Sequence, residues 1–226
     1  MTDRKVRALV AAHNEADRIA PTVSALRSLP QVVDVAVIDD GSTDGTASAA
    51  LAAGATVLSR RRRAGKGRAV EGALLRLPPA EVWLLADADL GRTAARLGPV
   101  LSEVTEGRAD LAVAVFPPVR DGGLGLVMRS AGLAIRLLSG FQAVEPLSGQ
   151  RAITDEALEA CRPLSIGFGL ETGMTIDVVR RGYRVVEVPA ELDHRATGRG
   201  LAGFAHRGRQ GIDILFAVLP RALGLR

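Results

Sequence analysis

The segment WLLADADLG, residues 83–91, places an apolar run directly before two acidic residues. Such a run is typical of a strand that is buried on both faces of a parallel sheet. Side chains alternate along an extended chain, so Asp87 and Asp89 point to the same side if the strand continues through them. A bound divalent cation, a basic neighbour or solvent can offset the repulsion between them. The same residues also fit a turn that caps the next helix, with Gly91 and Thr93 nearby.

Apolar strands alternate with helical segments through the first half of the chain. Strands are predicted at residues 6–12, 34–38, 56–59, 81–86 and 110–115, and helices at residues 16–27, 45–53, 68–77 and 94–104. The second half is less regular, with helices predicted at 125–139 and 171–181, a strand at 183–189, and a final helix after a basic loop. This pattern predicts an α/β fold with a mainly parallel, mixed sheet flanked by helices on both faces.

Polar clusters follow three of these strands: AHNE after the first, DDGSTDGT after the second and DADL after the fourth. Ligands of such sheets bind beyond the carboxyl ends of the strands, so we expect the three clusters to gather at one edge. Thr43 or Asp44 can cap the helix that follows the second cluster, but this does not account for Asp39 and Asp40. These two carboxylates can accept hydrogen bonds from a base N–H or a ribose hydroxyl.

Composition excludes several classes of protein. The hydrophobic content of 47% suffices for a packed core, and an aromatic content of 3% argues against stacking on nucleic acid, despite the basic run RRRRAGKGR. Cys161 is the single cysteine, which excludes an internal disulfide and favours a buried side chain. No apolar run is long enough to span a membrane, so a cytoplasmic protein is expected.

The C-terminal segment 212–225 is apolar and is interrupted by Pro220. We expect it to cover the core. Peripheral contact with the inner face of a membrane, or with a second copy in a homodimer, is the alternative.

Lysine occurs only at Lys5 and Lys66 in a chain whose net charge of +4 otherwise rests on arginine. Lys66 lies between two glycines, a setting that suits a compact point charge in a confined pocket. A solvated basic loop that continues residues 60–63 is the alternative.

Four segments, VAAHNEADRI, VIDDGSTDGT, GKGRAVEGAL and LADADL, resemble in order and spacing the nucleotide-binding half of family 2 glycosyltransferases, whose fold is called GT-A. The resemblance implies metal-dependent transfer of a sugar from a nucleotide-diphosphate sugar, with UDP as the expected nucleotide, to a hydroxyl or phosphate acceptor. No linker divides the chain. We therefore expect one GT-A domain over residues 1–226, with a nucleotide-binding half over about 1–115 and an acceptor-binding half over about 116–226.

The resemblance also implies roles for individual residues. Lys66 matches a lysine near the base or the phosphates. Asp87 is expected to meet the ribose or metal-bound water, and Asp89 to bind the Mg²⁺ or Mn²⁺ ion that bridges the diphosphate. The other residues expected at the nucleotide-sugar site are Ala11, Ala12, His13, Asn14, Glu15, Asp39, Asp40 and Ala88.

In the second half, PLSGQRA resembles the acceptor-side loop of glucosyl-3-phosphoglycerate synthases and polyprenyl-phosphate sugar transferases. This implies a small phosphorylated or lipid-phosphate acceptor. The residues expected to face the sugar or the acceptor are Ser148, Gly149, Gln150 and Arg151, with Arg195 and Arg199 holding phosphates and His194 as a further metal ligand.

Glu171 departs from the family pattern. Inverting members carry a pair of carboxylates near this helix start, whereas GLETGM has a threonine where the second acid is expected. Glu171 is then the catalytic base, a residue that orients the sugar, or a helix N-terminal acid. The anomeric outcome stays open.

Two other readings compete with glycosyl transfer. A sugar-1-phosphate nucleotidyltransferase shares the βα architecture, but usually has a glycine-rich loop after the first strand, where this chain has AAHNEADRI. A noncatalytic nucleotide-binding protein would be expected to lose the aspartates of the DADL segment, which are present.

Overall fold

The computed structural model describes residues 4–117, 125–193 and 201–226, with residues 126 and 201–210 described by their backbone alone. The strands are β1 (Val6–Ala12), β2 (Val32–Asp39), β3 (Thr56–Ser59), β4 (Val82–Asp87), β5 (Leu111–Val115), β6 (Arg151–Thr154) and β7 (Val185–Pro189). The helices are α1 (Ile19–Arg27), α2 (Thr46–Ala52), α3 (Lys66–Leu74), α4 (Gly98–Thr105), α5 (Gly125–Ser139), α6 (Asp155–Ala160), α7 (Gly169–Arg180) and α8 (Leu201–Ala222), with a 3₁₀ helix at Gly91–Leu97 before α4.

The described strands form one seven-stranded sheet in the order β3-β2-β1-β4-β6-β5-β7. Strands β1, β2, β3 and β4 pair in parallel, and β5 pairs in parallel with β7. Strand β6 lies antiparallel between β4 and β5. The sheet is therefore mixed and mainly parallel, which confirms the fold class expected from the sequence.

Apolar side chains fill both faces of this sheet. In β1, Ala8 and Val10 pack into a core with α1 and α4, whereas Leu9 points to the opposite face and packs with residues of α3 and α7. The alternation follows from the period of two along a strand. Because both faces are covered by helices, β1 and β4 are apolar except for Arg7 near the start of β1 and Asp87 at the end of β4.

Strand β6 determines what lies beside the carboxyl end of β4. Its antiparallel pairing sets Leu85 opposite Arg151, so the residues just before β6 approach Asp87. A parallel neighbour would instead bring its own carboxyl end to this edge. The acceptor-side loop thus reaches the same place as the DADL segment through β6.

Helix α6 is not predicted from the sequence. It spans six residues, too few for a periodic apolar pattern, and its ends are set by specific bonds. The Thr154 side chain accepts a hydrogen bond from the Ala157 N–H, and Asp155 accepts one of 2.6 Å from the indole N–H of Trp83. Cys161, which follows α6, is buried as expected.

Helix α8 continues past Pro220 to Ala222, so this proline does not end the helix. The proline lies in the last turn, where an interrupted backbone ladder costs little because the helix is already ending. None of the helices in the described part of the chain combines the length and the hydropathy needed to cross a bilayer.

One face of α8 covers the core, as predicted for segment 212–225. Ile214 and Ala217 are buried, and the buried Arg221 guanidinium donates from Nε to Asp177 of α7 over 2.8 Å. Another face exposes Leu215 and Phe216 by 58% and 61%. Contact of this face with a membrane or a second copy stays a prediction.

Gly67 allows helix α3 to lie directly against the loop before α7. A Cβ atom at this position would lie 2.0 Å from the carbonyl oxygen of Ser165, a backbone atom that cannot turn away. Gly67→Ala is therefore expected to destabilise the protein by about 2–3 kcal/mol, even though alanine favours helix. Urea unfolding measures this change.

Gly72→Ala, in the same helix, is the matched control. The nearest atom to a Cβ at Gly72 belongs to the guanidinium of Arg60, at the far end of a long side chain, at 3.2 Å. This variant is expected to be neutral or more stable by up to about 1 kcal/mol. Equal stabilities for the two variants would contradict the close approach at Gly67.

Candidate active site

The turns that follow β1 and β2 are bonded to each other at the carboxyl edge of the sheet. Asn14 adopts a φ of 57°, in the left-handed region that asparagine tolerates better than most residues. Its side-chain oxygen accepts the Thr43 N–H over 2.8 Å, and its own N–H donates to the Ser42 hydroxyl over 3.0 Å. The first two polar clusters therefore lie together, as predicted.

The remaining residues of the first turn are held by the same contacts. The Glu15 N–H donates to the Thr46 hydroxyl over 2.9 Å, and the Ala12 carbonyl accepts the Asp40 N–H over 2.9 Å. The His13 Nδ1 lies 3.1 Å from the Asp40 carbonyl, which can only accept, so this contact is a hydrogen bond when Nδ1 is protonated. Ala11 pairs with Asp87 across the β1–β4 ladder.

Asp40 shapes the loop that carries Lys66. Its carboxylate is 4% exposed and accepts the N–H groups of Ala64 and Gly65, the latter over 2.7 Å. Asp39 is similarly buried and accepts the Ser42 N–H over 3.0 Å. Both carboxylates thus order backbone in this structure, a role that the sequence analysis did not foresee. Contact of either residue with a nucleotide base or ribose stays a prediction.

Lys66, at the start of α3, bridges two carboxylates from distant parts of the chain. Its Nζ lies 2.6 Å from Asp87 at the end of β4 and 2.9 Å from Glu171 in the first turn of α7. Burial works against the charged ammonium, but the two carboxylates more than offset it, so the pKa of Lys66 is raised. The side chain is 23% exposed, which rules out the alternative of a solvated basic loop at this position.

A cavity of about 340 Å³ opens at this cluster. Its lining includes Arg63, Lys66, Arg68, Asp87, Phe168 and Glu171. Three of the lining side chains are cationic, and three, Asp87, Glu171 and Asp213, are acidic. Asp87 and Glu171 are paired with Lys66, and Arg63 and Arg68 are the further cationic groups that can attract the anionic part of a polar molecule.

Asp89 lies half-buried just beyond β4. Arg18 links it to Asp193, the last residue described before residues 194–200. The Asp89 carbonyl accepts a bond of 3.2 Å from Arg18, whose guanidinium also contacts Asp193 at 3.3 Å. The 3₁₀ helix that follows has Leu90 at its N-cap, so neither aspartate occupies the capping position of that helix. Ala88, between the aspartates, is buried and its carbonyl accepts the Thr22 hydroxyl.

The predicted metal ligand His194 and the predicted phosphate ligands Arg195 and Arg199 lie outside the described residues. Within the described residues, no three histidine, cysteine or acidic side chains gather closely enough to form a metal site alone. Asp87 and Asp89 still provide hard oxygen donors of the kind that Mg²⁺ and Mn²⁺ prefer. The two carboxylates are the described residues that would hold such a cation.

The acceptor-side loop is placed differently from the expectation. Ser148, Gln150 and Arg151 are at most 2% exposed, and Gly149 packs against Lys66 and Asp87. The prediction that Arg151 faces a sugar or a phosphate is wrong, because its guanidinium donates to the carbonyls of Ser148 and Glu171 and to the Thr175 hydroxyl. A fully buried guanidinium needs such acceptors, and backbone carbonyls supply them.

Three cavity residues, Gly167, Phe168 and Asp213, escaped the sequence analysis. Phe168 precedes α7, and its N–H donates to the Asp213 carboxylate of α8 over 3.2 Å. Gly167, at a φ of 53°, leaves the space that this carboxylate occupies. Asp213 is the one acidic residue of the apolar segment 212–225. The glycines on either side of Phe168 were the signal that a close approach occurs there.

Beneath the acceptor-side loop, Glu145 lies beside Glu187. The Glu187 carboxylate accepts the N–H groups of Val144 and Glu145, and is held close by them. Burial, reinforced by Glu187 and opposed by Arg151, raises the pKa of Glu145 to about 7. The unfolded chain releases the Glu145 proton at a lower pH than the folded protein does. Ionisation of Glu145 therefore lowers the free energy of unfolding as the pH rises from about 4.5 to 7.

Glu145→Gln is expected to remove this loss and to stabilise the protein by about 1 kcal/mol at pH 8, an amount discounted for partial exposure. At pH 4 the variant and the natural protein should be equally stable. Urea unfolding at both pH values measures the effect. Glu191→Gln, an exposed control, should show no such pH-dependent gain, and an equal gain in both variants would contradict the assignment.

Comparison with known proteins identifies the family. A model of the family described as glycosyl transferase family 2 matches residues 8–157. The chain belongs to this family. This is the family that the four sequence segments resemble, and the matched region carries Lys66, Asp87 and Asp89.

Two curated relatives of this family 2 glycosyltransferase come from different organisms. Glycosyltransferase AglJ of Haloferax volcanii is 33% identical over 194 residues, which cover 84% of this chain and 63% of the relative. The chain thus spans less than two thirds of that protein. Undecaprenyl-phosphate mannosyltransferase of Micrococcus luteus is 28% identical over 98% of this chain and 100% of the relative.

Among solved structures, glucosyl-3-phosphoglycerate synthase of Mycobacterium tuberculosis is similar to this family 2 glycosyltransferase. The structure in complex with Mn²⁺, UDP and glucosyl-3-phosphoglycerate superposes with a TM-score of 0.79 and 27% identity, over 95% of this chain and 80% of that one. The similarity confirms the GT-A fold.

Proposed function

We propose that this family 2 glycosyltransferase transfers a sugar from a UDP-sugar to an acceptor that carries a phosphate. The cluster of Lys66, Asp87 and Glu171 on the cavity, with Asp89 two residues beyond the end of β4, is the observation that carries the proposal. The relative crystallised with Mn²⁺, UDP and a glucosylated phosphoglycerate supports the choice of donor and acceptor.

In the proposed site, Asp89 would hold the divalent cation, and Asp87 would lie where it can contact the ribose or the hydrated cation. Mg²⁺ or Mn²⁺ bound there supplies Lewis-acid stabilisation of the departing diphosphate. Lys66 stays protonated because its pKa is raised, and its ammonium lies beside Asp87. It is therefore placed to stabilise negative charge on the same leaving group.

The transfer forms a bond between an acceptor oxygen and the anomeric carbon, and breaks the bond from that carbon to the diphosphate oxygen. UDP departs with the bonding electron pair. When the acceptor is a hydroxyl, Glu171 is proposed to receive its proton, since this carboxylate lines the cavity. When the acceptor is a phosphate anion, no proton needs to be removed and Glu171 orients the sugar.

Arg63 and Arg68, which line the same cavity as Glu171, are proposed to hold the acceptor phosphate. The relatives act on two kinds of phosphorylated molecule, judging by their names: a phosphoglycerate and an undecaprenyl phosphate. Both molecules share the feature that the cavity is proposed to recognise, an anionic phosphate at or next to the oxygen that accepts the sugar.

The direct test is transfer from UDP-, GDP- and dTDP-glucose and the matching mannose donors, with Mn²⁺, to 3-phosphoglycerate or to a short polyprenyl phosphate. We expect UDP release with one UDP-sugar, dependent on Mn²⁺ and on one of the acceptors. Activity with the polyprenyl phosphate alone would assign a lipid acceptor. Formation of a nucleotide-sugar from UTP and a sugar 1-phosphate, without transfer, would instead show the nucleotidyltransferase.

A further inference from the structure

The Gln150 side chain makes two bonds to one residue, Asp87. Its Nε2 donates to the Asp87 carboxylate over 2.8 Å, and its Oε1 accepts the backbone N–H of Asp87 over 2.9 Å. Gln150 is 2% exposed, so water does not compete for these groups. The two bonds also define the orientation of the amide, because its oxygen must face the N–H and its nitrogen the carboxylate.

The position of Gln150 follows from the topology. It directly precedes β6, the strand that runs antiparallel to β4, and so lies beside the end of β4 where Asp87 is. The Asp87 carboxylate therefore has a fixed donor on one side, Gln150, and Lys66 at 2.6 Å on the other. Its two oxygens are held by different partners.

Gly149 shows how closely this arrangement is packed. A Cβ at position 149 would lie 2.3 Å from the Lys66 Nζ and 2.7 and 2.8 Å from the two Asp87 carboxylate oxygens. Any side chain there would displace the ammonium or turn the carboxylate. The Gly149–Gln150 pair thus leaves space for Asp87 on one side and bonds it on the other.

We infer that Gln150 is a positioning residue that holds the Asp87 carboxylate in the orientation required at the donor site, and that it does not bind the sugar or the acceptor. The inference rests on the proposed function in so far as Asp87 acts on the donor. Groups that orient a ligand of a metal site typically contribute 10–100-fold to metal affinity or activity. Gln150 is such a group, because it is buried behind Asp87 and its side chain orients the Asp87 carboxylate.

The test compares Gln150→Ala and Gln150→Glu with the natural protein. Gln150→Ala removes both bonds to Asp87. Gln150→Glu keeps the size and the acceptor for the Asp87 N–H, but faces the Asp87 carboxylate with a second negative charge. Gln142→Ala, at an exposed glutamine of the same loop region, is the matched control.

Calorimetric titration of UDP in the presence of Mn²⁺ is the first readout. We expect UDP binding about 10-fold weaker in Gln150→Ala and at least as weak in Gln150→Glu, with kcat lowered 10–100-fold and the acceptor KM unchanged. The control should match the natural protein. A role in filling space predicts the opposite order, with the isosteric glutamate the milder change. That order, or a raised acceptor KM with unchanged UDP binding, would overturn the inference.

A crystal structure of Gln150→Ala without ligands gives a readout that does not depend on the donor. We expect the Asp87 carboxylate to leave the orientation seen here; an unchanged carboxylate would overturn the inference. Failure of the natural protein to bind UDP with Mn²⁺ would refute the proposed function instead. If Gln150→Ala does not fold, Gln150→Glu, which keeps the buried volume, decides both readouts.

Discussion

Asp89→Asn is expected to lower glycosyl transfer by roughly 1000-fold while the fold survives. The change keeps the size of the side chain but removes the negative charge proposed to hold the divalent cation. Loss of that contact withdraws electrostatic stabilisation from the departing diphosphate, a term worth several kcal/mol in comparable sites. Initial rates of UDP release with and without acceptor measure the effect, and thermal unfolding verifies the fold.

Asp110→Asn provides the control for loss of a carboxylate charge. Asp110 pairs with Arg184 just before β5, at the opposite edge of the sheet from Asp89. This variant is expected to retain most of its activity. Full activity in Asp89→Asn, or an equal loss in the two variants, would refute the assignment of Asp89.

Lys66→Met should reduce activity by at least about 100-fold and also lower stability. Removal of the ammonium leaves Glu171, whose side chain is 7% exposed, without the cation that lies 2.9 Å away. Breaking a buried ion pair from one side costs about 3–5 kcal/mol, and the partial exposure of Asp87 and Lys66 moves the expected loss below that range. Because the pKa of Lys66 is raised, the pair contributes across neutral pH and is lost only in strongly alkaline solution.

Lys66→Arg is expected to restore stability in part and activity hardly at all. A guanidinium is larger than an ammonium, and Gly149 packs directly against the Lys66 Nζ. Arg76→Met, which removes an exposed positive charge just after α3, is the control and should leave kcat/KM within about twofold. Activity of Lys66→Arg equal to that of the natural protein would contradict the need for a compact charge.

Much of the fold followed from pattern alone. The apolar runs that end in polar clusters predicted the parallel strands and the edge at which Asn14, Asp40 and Asp87 meet. This worked because the buried central part of a parallel strand is apolar, so its polar residues gather near its ends. The choice of Lys66 likewise came from sequence, as the lone lysine in an arginine-rich loop between two glycines.

The acceptor-side residues could not be assigned in the same way. Ser148, Gln150 and Arg151 have the polar side chains that a ligand site needs, and the sequence analysis assigned them to the acceptor. Their burial depends on the antiparallel insertion of β6 between β4 and β5, a long-range pairing that no local pattern in a four-residue strand reveals. Polar residues in a short loop give the same sequence pattern whether they bind a ligand themselves or hold another residue that binds it.

The sequence by itself determined the alternation of strands and helices, the edge where the aspartates collect and the family to which the chain belongs. These properties depend on local periodicity and on motif spacing, which are written along the chain. The tertiary structure alone decided that Lys66 joins Asp87 to Glu171 and that Gln150 holds Asp87 from behind. Those contacts join residues far apart in sequence, and burial, which only the folded chain creates, is what makes them strong.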